Sequence, residues 1–176
     1  MSYNLYCYRS RTGKPDLGEA KQVIEGSEAI KPSANNLKEK IASALVNYNS
    51  KLERFENDYK EIAKAHGITV EEAKQRFQHI ELNKPDGNMV VQITIDRYVT
   101  IAVPYWYVGD KAIKIFREVD NYTKVVARTV GYFVYDPQSG KAYDPRKNDF
   151  NDLVLYLELM NKQMVTRKSK PWWKFW

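Results

Sequence analysis

Met89-Val90-Val91-Gln92-Ile93-Thr94-Ile95-Asp96-Arg97-Tyr98-Val99-Thr100-Ile101-Ala102-Val103-Pro104 alternates apolar and polar residues on both sides of Arg97. A period of two puts successive side chains on opposite faces of a strand, so the stretch predicts strands at 89–96 and 98–103. Val91, Ile93 and Ile95 then share an inward face with Val99, Ile101 and Val103. Two such strands with little between them form an antiparallel meander, and Pro104, which lacks an N–H, closes it. Just upstream, residues 79–83 continue the pattern, followed by the turn residues Lys84-Pro85-Asp86-Gly87.

Outward from the meander the period changes. Gly109-Asp110 opens a helix that turns Ile113, Phe116, Val119, Tyr122 and Val126 inward. A strand follows at 131–135, then the turn Asp136-Pro137-Gln138-Ser139-Gly140 and a short return at 141–143. Asp149 begins a last predicted helix, carrying Leu153, Leu157 and Met160 to about Val165. On the N-terminal side, residues 2–9 alternate, with Tyr3, Leu5 and Cys7 on one face and Asn4, Tyr6 and Tyr8 on the other. Asp16 is the expected N-cap of a helix ending near Gly26. Leu37, Ile41, Leu45, Tyr48, Leu52, Phe55, Tyr59 and Ile62 then recur at steps of three and four, predicting one long helix over 35–66. Thr69-Val70-Glu71-Glu72 is a capping-box pattern that starts another helix. The order implies an α+β fold over 1–165: an antiparallel sheet with a split βαβ, ferredoxin-like core, helices on one face and a long helical insertion.

Charge narrows the function classes. The net charge is +6, but Lys162, Arg167, Lys168, Lys170 and Lys174 lie in the last fifteen residues with no acid among them. Removing those five leaves +1 over residues 1–161. A nucleic-acid protein carries its charge as a stripe on a folded face, so nucleic acid is not the expected partner. A lone cysteine, Cys7, excludes an internal disulfide, and no long apolar run resembles a leader or a spanning helix. The expected environment is the reducing cytoplasm.

Catalytic and ligand-binding patterns are sparse. No phosphate-binding glycine loop and no nucleophile elbow occurs, and His66 and His79 lie apart from any cluster of ligand-type residues. Cys7 sits in an apolar strand, where burial raises a thiol's pKa. The acids pair at helix starts and turns, as in Glu71-Glu72 and Asp144 with Asp149. No catalytic, cofactor or metal residue is therefore assigned.

What remains is aromatic. Tyr105-Trp106-Tyr107 follows Pro104, and three consecutive rings in a connection cannot all enter one core. Trp172, Trp173 and Trp176 crowd a basic tail over 166–176. A membrane anchor of that size without an amphipathic helix is weak, and base stacking needs a positive groove. Docking on the chain's own body, or on a second copy in a homodimer, is the expected role. Tyr6 and Tyr8, on the outward face of the first strand, complete the expected contact set with Tyr105, Trp106 and Tyr107.

The start Met1-Ser2-Tyr3-Asn4-Leu5-Tyr6-Cys7-Tyr8 and the segment Gly131-Tyr132-Phe133-Val134-Tyr135-Asp136-Pro137-Gln138-Ser139-Gly140 resemble small bacterial α+β proteins. Some of these look like immunity proteins of polymorphic toxin systems. That resemblance implies a non-enzymatic protein that binds and blocks a toxin, and transfers no catalytic residue. The alternatives are an enzyme using carboxylates or tyrosines around a cleft near His79 or Asp136, and membrane or nucleic-acid attachment through the tail.

Overall fold

Alternation is cashed out directly in the computed structural model, which describes residues 2–25, 35–84, 91–104 and 110–147. Strands β1 (Ser2–Tyr8), β3 (Ile80–Lys84), β4 (Val91–Ile95) and β5 (Val99–Pro104) bury every second residue. With β2 (Glu53–Phe55), β6 (Phe133–Asp136) and β7 (Lys141–Tyr143) they form one seven-stranded sheet in the order β2-β3-β4-β5-β1-β6-β7. Every pairing is antiparallel, with Cys7 opposite both Val99 and Val134.

The order contains the expected split βαβ core. β5 and β6 flank β1 and both run against it, joined by helix α5 (Asp110–Val130). β1 and β4 likewise flank β5. The two interleaved units give β4-β5-β1-β6, the ferredoxin-like order, widened by β2 and β3 on one side and β7 on the other.

Two helices close the first face. Helix α2 (Asn35–Tyr48) and α5 lie against Tyr3, Leu5, Cys7, Leu82, Ile93, Ile101 and Val134 in the main core. Burying a side chain of this size contributes about 1.5–3 kcal/mol, and here the two helices and the sheet share that burial. Helix α1 (Leu17–Glu25) takes the second face. Its Ala20, Val23 and Ile24 pack with Tyr8, Phe133 and Tyr135. Helices thus cover both faces rather than the one expected, because Tyr8 at the end of β1 and Phe133 and Tyr135 of β6 present a second apolar cluster for α1.

The expected long helix over 35–66 is corrected. It divides into α2, strand β2 and helix α3 (Tyr59–His66), with α4 (Val70–Arg76) behind it. Asn49 supplies the break. Its side-chain oxygen accepts from the Lys51 backbone at 3.1 Å while its amide reaches the Tyr122 hydroxyl at 2.6 Å. Asp58 then caps α3 by accepting from Lys60 and Glu61, and Gly67 ends it in the left-handed conformation at φ 63°. The Thr69–Glu72 capping box forms as the spacing implies. In α5 the buried row runs through Ala112, Ile115, Phe116 and Val119, leaving Ile113 at its margin. The helix predicted from Asp149 lies outside the described residues.

Candidate functional site

Two polar sites stand out among the described residues. One is internal. Lys84 occupies an inward position of β3, in phase with Ile80 and Leu82, and its side chain is 6% exposed. Its ammonium donates to both oxygens of Glu118, at 2.8 and 3.0 Å. Glu118 also accepts from the Tyr122 hydroxyl and, at 3.1 Å, from the Asn49 amide. Burial, then the Glu118 hydrogen bond, pushes the Tyr122 phenol well above its ordinary range. The cluster ties α2, α5 and β3 together and consumes the groups that compose it.

The second site is open. His79, Thr94, Asp96, Arg97, Tyr98 and Thr100 line a hollow of about 220 Å³ at one end of β3, β4 and β5. Register explains the grouping: Thr94 stands opposite Thr100, and His79 and Asp96 extend the ladder that pairs Ile80 with Ile95. Thr94, Tyr98 and Thr100 are half-buried on the face opposite α2 and α5. Lys38 of α2 is 1% exposed, donates to the Gln78 carbonyl at 2.8 Å and approaches the Asp96 carboxylate to 3.6 Å. Arg97 meets the other Asp96 oxygen at 4.0 Å. Tyr98 sets its ring edge-on to Tyr6 with centroids 5.7 Å apart, and Tyr6 stacks on Tyr135. Burial raises the Tyr98 phenol, with Tyr6 adding to it.

Of the expected contact residues, Tyr6 is half-buried on this face and forms part of its aromatic row. Tyr8 is corrected: it is fully buried, and its hydroxyl both donates to the Asp16 carbonyl and accepts from the Asp16 amide, each at 2.9 Å. The residue after it leaves the strand, and the loop to α1 folds back over the ring. Tyr105, Trp106, Tyr107, Trp172, Trp173 and Trp176 lie outside the described residues. The cleft expected near His79 corresponds to the open hollow. Asp136 is not part of that hollow: it is buried and accepts from Tyr3, Ser139 and the Gln138 amide at 2.7–2.9 Å, fixing the turn that follows β6. His66 packs its ring on Phe77 at the end of the α3–α4 pair.

Sequence reasoning passed over Lys38, Asn49, Arg97 and the two threonines, took Glu118 for a solvated helix acid, and placed Lys84 in a turn where the structure has it buried in β3. A signal existed for the lysines. Lys38 precedes Ile41, Ala42 and Leu45 at helical spacing, and Lys84 follows Ile80 and Leu82 in strand phase, so each lysine sits in an apolar row. A buried ammonium needs a partner, which predicts the carboxylate and carbonyl found here. Every buried side-chain nitrogen and oxygen among the described residues has a hydrogen-bond partner.

Fold and site together define an α+β protein with a widened split βαβ sheet; among the described residues one face is closed by helices and the other is part-covered beside a polar hollow. No family model, curated protein or solved structure matches the chain. Among the described residues, no three of His, Cys, Asp and Glu gather as a metal site requires, and no helix is long and apolar enough to cross a membrane.

Proposed function

We propose that this chain is a protein-binding module that engages its partner with the half of the sheet that α1 leaves open. The observation that carries the reading is the state of that face. Glu81, Asn83, Thr94, Thr100 and Ala102 are half-buried and Gln92 is exposed, and no described element covers them. A sheet face that no described element covers offers a rigid, mixed polar surface with little ordering cost on association. Tyr6 and Tyr98 border it with amphipathic rings of the kind enriched in interfaces. The resemblance to immunity proteins names the partner class, a toxin neutralised in the cytoplasm by occupation of its surface.

Site-specific photocrosslinking tests this. A benzophenone side chain placed at Thr94 should trap one partner in cells that make the chain, and one placed at Lys64 on α3 should not. Equal adducts from both positions, or none from Thr94, defeat the reading.

A second reading rests on the hollow itself, which brings His79, Asp96 and Tyr98 together as an enzyme on a small substrate would need. Lys38 and Arg97 already hold the Asp96 carboxylate, which suits ligand binding better than proton transfer.

A further inference from the structure

The near-neutral balance over residues 1–161 conceals a polarised distribution. β1 ends at Tyr8 opposite Phe133, β5 begins at Val99 opposite Cys7, and β7 leads into a 3₁₀ turn at Pro145–Lys147. All three events occur at the same end of the sheet, the end that holds the hollow. Arg9, Arg11 and Lys14 on the first loop, Arg97 on the β4–β5 turn, and Arg146 and Lys147 on the 3₁₀ turn are all exposed there. The Arg146 guanidinium lies 5.3 Å over the Phe133 ring, which fixes its position at that end.

The acids of this end are already engaged. Asp16 caps α1 through the Glu19 amide, Glu19 accepts from Ser10 and the Arg11 backbone, Asp96 lies between Lys38 and Arg97, and Asp144 pairs with Arg146. Among the described residues of these loops and turns, six exposed cations thus stand against these four engaged carboxylates. The α3–α4 pair beyond β2 and β3 mixes both signs instead.

We infer that this basic end is the recognition patch for an acidic segment of the protein partner, with one of its carboxylate side chains seated in the hollow. The inference rests on the reading of the chain as a protein-binding module and specifies the chemistry of what that module meets. Arg97, His79, the Tyr98 hydroxyl and the paired Thr94 and Thr100 hydroxyls give the hollow several hydrogen-bond donors for a carboxylate. The cations outside it span a loop, a turn and a 3₁₀ turn, too wide a spread for one small anion but suited to a run of acidic residues. A nucleic acid fits less well. The Tyr6 and Tyr98 rings are turned on each other rather than offered to bases.

The test is a titration of the full chain with a fluorescein-labelled oligoglutamate peptide, read by anisotropy. Binding is expected to weaken steeply with added salt, since exposed charges are screened over about 8–10 Å at moderate ionic strength. R9E/R97E should weaken it about tenfold or more, while K64E/K74E, the same charge change on α3 and α4, should change it by less than about twofold. Should R9E/R97E lose its cooperative melt, K14Q/K147Q on exposed positions is expected to show a smaller loss in the same direction. Equal loss in the α3–α4 control, or no binding of the peptide at low salt, overturns the inference. Tighter binding of a single-stranded oligothymidylate of equal charge also overturns it. If the Thr94 crosslink persists in R9E/R97E at full yield, the patch is wrong while the binding module stands.

Discussion

Cys7 shows how completely a single position can be decided by its neighbours. It lies at the centre of the sheet, between Val99 and Val134, and burial pushes its thiol up to about 12. The thiolate is the reactive species, so almost none exists at neutral pH. Native protein should therefore resist a maleimide or a disulfide reagent, and labelling should become rapid only in denaturant. Fast labelling of the native chain by thiol titration would contradict the burial. Tyr8, two bonds of backbone pattern away from Tyr6, makes the complementary point. Alternation correctly assigned both to one face, but whether that face is wet or dry depends on α1, which no property of residues 2–9 reveals.

At the scale of elements, the Lys84–Glu118 pair is the joint to break. Removing one partner of a buried ion pair leaves the other charge stranded, at a cost of about 3–5 kcal/mol. Glu118→Ala also strips acceptors from Tyr122 and Asn49, and the partial exposure of Glu118 places the expected loss near the lower figure. Denaturant unfolding should show it, and K84M/E118L should recover much of the loss. The same cluster explains what was legible in the sequence and what was not. Strands β3, β4 and β5, the Asp16 cap and the Thr69 capping box depend on residues close in sequence, and each was readable. The break after Tyr48 was not. The apolar rhythm continues through Leu52, Phe55, Tyr59 and Ile62, and the helix stops because Asn49 finds partners about seventy positions away. The candidate site was hidden for the same reason. Its lining comes from His79 and from residues between Thr94 and Thr100, and only the pairing of β3, β4 and β5 brings them together.

For the whole molecule, stability against acid follows from carboxylates held below their ordinary range. The Arg146 hydrogen bonds lower Asp144, and the Thr69 backbone and hydroxyl lower Glu72. A carboxylate depressed in the folded state stabilises above its unfolded pKa, about 3.9–4.3, and the contribution is lost as pH falls through the folded value. Melting temperature should thus hold between pH 7 and 5 and fall below about pH 4. Asp144→Asn should lower the neutral-pH melting temperature and flatten that acid limb in a calorimetric series. An unchanged slope would mean that other groups set the acid limit.

The strand order also dictates a timetable. β1 is made before every other described strand, yet it lies in the interior of the sheet, and its two neighbours are residues 99–104 and 133–136. A ribosome releasing the chain in order exposes Tyr3, Leu5 and Cys7 long before anything exists to receive them. The β3–β4–β5 meander, whose contacts are local, is complete while β1 still waits. β1 can pair with β5 once Pro104 has emerged, but its other edge stays open until residues 133–136 follow. A cell making this protein must keep that one open edge from strangers until Asp136 has emerged.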